Sequence, residues 1–137
     1  MNLEKVIIKS QVNEAFARTI VTQELLNDSS QPAEFSTHYY NYNRGLLFSS
    51  FNVQIGESLK VSSKVIKENK AEEKYIDAIS SGNAAILTTT DKKDKNKIIT
   101  HIGNIPPKQK VIFVSEFIEL IDSTNNYHEF KLPYSFE

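Results

Sequence analysis

Any chemistry in this sequence would have to start from three scattered histidines, His38, His101 and His128. None has a second histidine or a carboxylate at metal-ligand spacing, so each reads as a strand-surface or hydrogen-bonded residue. A serine–histidine–acid triad is defined by geometry, so spacing alone does not exclude one. Yet no GxSxG elbow occurs, and no serine is read in the strand-turn-helix context of such an elbow. Cysteine is absent, which removes disulfides, thiolate nucleophiles and cysteine-bound zinc or iron–sulfur groups. The neighbouring acids Glu72 and Glu73 fall in a helix-forming segment, where the helix dipole accounts for them. Four glycines are too few for a phosphate cradle, and neither GxGxxG nor a P-loop occurs. No catalytic, cofactor-binding or metal-ligating residue is therefore assigned, and no cofactor is expected.

Composition narrows the classes further. A chain of 137 residues is about one domain, able to bury roughly two-thirds of its unfolded surface. Sixteen basic and seventeen acidic residues leave a net charge of -1, so no strong field draws in nucleic acid or an anionic membrane. No apolar run approaches the ~20 residues of a membrane span. The N-terminus, "MNLEKVIIKSQ", lacks the apolar core of a signal peptide. With no cysteine either, a cytoplasmic, reducing location is the expectation. Asn27-Asp28-Ser29 forms a glycosylation sequon that also reads as a polar turn.

The elements that must position these residues are mostly strands. "VNEAFARTIVTQELL", residues 12 to 26, fits helix and strand in part, and the β-branched "RTIVTQ" favours a strand. The polar "NDSSQPAE" makes a loop, and "FSTHYYNY" reads as a strand. Phe51, Val53 and Ile55 alternate, Gly56-Glu57 turns the chain, and Leu59 and Val61 alternate again, which is a hairpin signature. "AAILTTT" and "IITHIG" are strands flanking a charged tip, "DKKDKNK". "KVIFVSEFIELI" and "NYHEFKL" close the series. One segment differs: "NKAEEKYIDAISSG" is built of helix formers, with Ala71, Tyr75, Ala78 and Ile79 on one face. Asn69 is placed to cap its start, and Gly82 lies where a left-handed C-cap is needed. The pattern predicts a mainly β fold: an antiparallel β-sandwich of about eight strands with one main α-helix near residues 70–81.

The helix, a proline pair and a C-terminal strand, in that order, carry a resemblance. Lys67, Ala71, Tyr75, Ala78, Gly82, Ala85 and Leu87 are followed by Ile102, Gly103, Asn104, Ile105, Pro106 and Pro107, then by Tyr127, Phe130, Leu132 and Pro133. This order resembles the VIT domain, the vault protein inter-alpha-trypsin domain, over roughly residues 10 to 133. In that family a "VGNIPP" turn launches an alternating strand and a "Y.F.LP" element closes the domain. The resemblance implies a structural turn: Gly103 can take a positive φ, Asn104 tolerates one, and Pro106-Pro107 fix φ before the strand from Lys110 to Ile121. Asp122-Ser123-Thr124 follows an apolar strand, as does the Asp-x-Ser-x-Ser metal site of von Willebrand type A domains. Here the spacing differs and the α/β alternation is missing, so a turn is read there.

The resemblance implies a single VIT-like domain over 1–137, strongest over 60–133, and a non-catalytic protein-interaction or scaffold module. VIT domains usually precede a von Willebrand type A domain, as in inter-alpha-trypsin heavy chains and a vault-associated ADP-ribosyltransferase. The implied partner is such a domain in a larger parent chain, of which this sequence would be a fragment, or another protein. A parent resembling the heavy chains would be secreted. Tyr134 and Phe136, beyond the last family motif, are candidate interface residues. Two alternatives stand beside this reading. A β-sandwich can bind glycans through exposed aromatics such as Tyr39, Tyr40 and Tyr42. A small hydrolase is the other.

Overall fold

A computed structural model describes residues 1–40, 46–57, 59–62, 68–121, 123–124, 127–128 and 130. Eight strands form two antiparallel sheets. They are β1 (Asn2–Val12), β2 (Phe16–Leu26), β3 (Ala33–Tyr40), β4 (Leu46–Ile55), β5 (Leu59–Ser62), β6 (Ala85–Thr90), β7 (Lys97–Ile105) and β8 (Lys110–Leu120). The larger sheet runs β1-β2-β8-β4-β5 and the smaller runs β3-β7-β6. A two-residue pair, β9 (Ser123–Thr124) with β10 (Tyr127–His128), and one helix, α1 (Glu68–Ser80), complete the described elements. No helix among the described residues is long and apolar enough to cross a membrane.

Period-two alternation builds the core. On β8, Val111, Phe113, Ser115, Phe117 and Glu119 are buried while the residues between them are not. Ala17, Thr19, Val21, Gln23 and Leu25 do the same on β2. Ile102 and Ile105 of the small sheet join Val21, Leu25, Phe51, Val53 and Phe113 in one apolar cluster. Tyr39 sits at its centre with no exposed surface, its ring 4.8 Å from Phe117 and 6.3 Å from Phe51. The sequence segment that fits both helix and strand is thus a strand, because a second sheet is present to cover its apolar face. The hairpin at Gly56 forms as read, with Ile55 opposite Leu59 and Gly56 at φ 58°.

β1 is the element that periodicity does not reveal. Its half-buried residues are the consecutive Val6, Ile7 and Ile8, with exposed residues on both sides. Val6 and Ile8 pack against the core cluster, and Ile7 between them, on the other face, is half-buried too, so three apolar residues in a row hide the period of two. At the other end of the chain, the strand read in "NYHEFKL" is described only as the bridge at Tyr127 and His128; Phe130 is half-buried outside any strand.

Asn27 ties the two sheets together. It has no exposed surface, and its Nδ2 donates to the carbonyls of Gln31, Ile105 and Pro106 at 2.9, 3.0 and 3.1 Å. Its Oδ1 accepts from the Ser29 hydroxyl at 2.7 Å. The nitrogen that a glycan would need is committed and buried, so the sequon is a structural turn in the folded chain.

Candidate interaction surface

The motif residues meet where α1 crosses the small sheet. β7 bulges at Gly103-Asn104, since Ala33 pairs with Ile105 while Phe35 pairs with Ile102. The positive φ falls on Asn104, at 52°, and not on Gly103. Gly103 is needed for close approach instead. A methyl there would overlap Ile79 Cδ1 and lie 2.7 Å from the Tyr75 hydroxyl oxygen. Tyr75 and Ile79, four residues apart on the half-buried helix face with Ala71 and Ala78, therefore dock on the sheet. Burial pushes the Tyr75 hydroxyl pKa up, and Glu34 adds to it. Gly103→Ala is expected to cost about 1–3 kcal/mol by overpacking this contact, read by chemical denaturation. An unchanged midpoint would contradict the close approach.

The helix end is capped twice. Gly82, at φ 76°, donates its N–H to Ile79 O, and Asn83 donates to Ala78 O, the Schellman pattern. Asn104 Nδ2 reaches across from the bulge to Ile79 O at 2.8 Å. The start lies two residues before the predicted 70: α1 begins at Glu68, so Asn69 sits in the first turn and not at the cap, its Oδ1 accepting from Lys70 N–H. Beyond the bulge, Pro106 and Pro107 lead into Lys108 at φ 58°, whose ammonium donates to Asp28 O. Leu132, Pro133, Tyr134 and Phe136 lie outside the described residues, as does the side chain of Tyr127. The structure thus brings Tyr75, Gly82, Gly103, Asn104 and Ile105 together as one joint between helix and sheet.

The chemical alternatives find less. Ser36 Oγ and His101 Nδ1 lie 2.7 Å apart on the outer face of the small sheet. Among the described residues no carboxylate hydrogen-bonds that imidazole, and no group of three or more metal-ligating residues forms. His38 is exposed on the same sheet, and the side chain of His128 lies outside the described residues. A groove of about 290 Å³ over β4, β5 and β8 has Lys60 as the one titratable group among the described residues of its lining. The tyrosine platform loses Tyr39 to the core, because odd positions of β3 face inward. Tyr40 is half-buried with Lys97 Nζ 5.9 Å from its ring centre, and Tyr42 lies outside the described residues.

Two features have no place in the sequence reading. Glu119 is buried, and its Oε1 has no hydrogen-bond partner among the described residues. Burial raises its pKa. The native state therefore bears a cost for ionising it, absent at pH below the unfolded carboxylate pKa and growing as pH rises through it. Glu119→Gln is expected to raise the melting temperature at pH 7 and to lose that gain by pH 4. An equal effect at both values would refute the burial cost. The second feature is the outer face of the larger sheet. Leu47 and Leu120 are each 67% exposed, and Phe16 is 42% exposed. Phe16 pairs with Leu120, and Ile118 lies opposite both Arg18 and Leu47, so one end of this face is apolar. Arg18 borders it, gripping Glu116 through Nε and Nη2 at 3.0 and 2.9 Å.

Comparison with known proteins follows the same lines. A von Willebrand factor A domain-containing protein of Dictyostelium discoideum is 30% identical over 137 residues, covering 96% of this chain and 14% of that protein. A second protein of that description from the same organism is 32% identical over 132 residues, covering 94% of this chain and 14% of its own length. Human protein mono-ADP-ribosyltransferase PARP4 is 25% identical over 131 residues, covering 96% of this chain and 7% of that protein. The chain therefore spans about a seventh or less of these relatives. Residues 3–117, from the edge strand through most of β8, match the family described as Vault protein inter-alpha-trypsin domain, and the chain belongs to that family.

Proposed function

We propose that this chain is a non-catalytic interaction module that packs against a von Willebrand type A domain within a longer polypeptide. The carrying observation is that relatives matching almost all of this chain devote only 14% of their length to it and are named for a type A domain. The helix-to-sheet joint supports this reading, because its motif side chains are spent on packing and capping and present no reactive group. Packing between domains of one chain buries roughly 600–1,500 Å² and is fairly polar, which a module of this size can supply.

The test compares hydrogen exchange of the isolated chain with that of the longer polypeptide carrying it. Slower exchange on one face of the sandwich in the longer form supports docking, and identical exchange throughout overturns it. Non-catalysis has its own check. Turnover of any ester or glycoside that is abolished by Ser36→Ala or His101→Ala, with folding intact, would overturn it.

A further inference from the structure

We propose that the docking surface is the apolar end of the outer face of the larger sheet, formed by Phe16, Leu47, Ile118 and Leu120, and that its occupant is the domain that continues the same polypeptide beyond β8. This rests on the reading above and adds the place and direction of docking.

The first support is the pattern of β8. Its outward residues are Lys110, Ile112, Val114, Glu116, Ile118 and Leu120, four of six apolar. A strand covered on one face alternates apolar and polar, whereas a strand covered on both faces reads as a continuous apolar run. β8 lies at the centre of its sheet and is apolar on both faces at residues 111–114 and at Phe117-Ile118, closer to the second kind, yet Leu120 is 67% exposed. β2 and β4 agree, placing Phe16 and Leu47 beside that end of β8. Contiguous exposed apolar side chains with a charged rim mark interaction sites. Here the rim is the two-pronged Arg18–Glu116 pair, whose hydrogen bonds hold the Glu116 carboxyl below its ordinary pKa.

The occupant follows from where the chain goes. β8 ends at Leu120, inside the patch, and the next residue, Ile121, donates its N–H to Ala15 O beside Phe16. Whatever follows β8 therefore starts from the rim of this surface. Residues 121–137, with β9 and β10, lie between β8 and any further domain, and a domain joined through them meets the patch within one chain, where a flexible connection gives an effective concentration in the mM range, so a small surface suffices. A second copy of the chain has no such tether.

The experiment uses the longer polypeptide and the isolated chain, each with Leu47→Glu plus Leu120→Glu, and separately with Phe16→Ser. Ile76→Glu is the control, since Ile76 is 60% exposed on α1, away from the patch. In the unsubstituted long form, amides of β2 and β8 should exchange at least about tenfold more slowly than in the isolated chain. The double variant and Phe16→Ser should remove that slowing, and Ile76→Glu should keep it. Isolated variants with an unchanged melting temperature show that folding is intact. Slowing that survives both patch variants overturns this surface and leaves docking standing. Absence of slowing in the unsubstituted long form overturns the docking reading itself. Concentration-dependent dimers of the isolated chain that Leu120→Glu dissolves would assign the patch to a second copy and overturn the occupant.

Discussion

Replacing Tyr39 with alanine should destabilise the chain by about 3–5 kcal/mol, the range for truncating a fully buried aromatic. Among the described residues Tyr39 is the largest side chain without exposed surface. Its ring packs against Phe117 and Phe51, which hold the facing sheet, so its loss opens a cavity between the layers. Phe51 and Phe113 stack behind it at 6.0 Å, leaving little room for collapse. At this chain length the melting temperature should fall by roughly 10–20 °C. Tyr39→Phe isolates the polar part. It keeps the ring but removes the hydroxyl, which lies 2.9 Å from Ser115 Oγ, and should cost about 1 kcal/mol. Thermal melting by circular dichroism measures both. An alanine variant melting within a few degrees of the parent would place Tyr39 outside the core.

The second large effect is expected at Asn27. Its three donated contacts join the end of β2, the loop before β3 and the end of β7. Asn27→Ala leaves buried carbonyls short of a donor, at about 1–3 kcal/mol per unsatisfied group, so a loss of about 2–4 kcal/mol is expected. Asn27→Asp should be worse at pH 7, because a carboxylate would face the same carbonyl oxygens. Those oxygens raise the folded pKa of the introduced acid. Its penalty therefore grows as pH rises through the carboxylate range and shrinks below it. Chemical denaturation at pH 4 and pH 7 separates the two variants. A loss under 0.5 kcal/mol in both, the size of an ordinary surface change, would mean that the network carries no stability.

The Glu119→Gln effect has a different origin from these two. Tyr39 and Asn27 stabilise through contacts that are made, whereas Glu119 is a carboxyl whose Oε1 lacks one. It lies opposite Ala17 of β2, at the same end of β8 as the outer apolar patch. Native proteins retain such groups mostly at functional or strained positions.

Much of the architecture is local and therefore legible in the sequence. Alternation over "KVIFVSEFIELI" dictates a strand with Phe113 and Phe117 on one side. Helix formers ending at Gly82 dictate a helix with a left-handed cap, and φ 76° with the Schellman bonds is what such an ending requires. Gly56 dictates a tight turn between two alternating runs. Each follows from interactions spanning a few residues. The rest depends on residues far apart in the chain, and only the tertiary structure decided it. β1 shows no period, because only Val6 and Ile8 reach the core from this edge strand and the apolar Ile7 lies between them. Gly103 looks like a turn glycine from sequence, but its small size matters because Ile79 and Tyr75 arrive from 24 and 28 residues away. Asn27 looks like a polar turn residue, and it is a buried donor because Ile105, 78 residues on, presents a carbonyl to it. Tyr39 and Tyr40 look alike, and the register of β3 against β7 buries one and leaves the other partly open. A period of two says that a strand has two different faces. Which face meets another layer, and which is left for a neighbouring domain, depends on how the sheets stack.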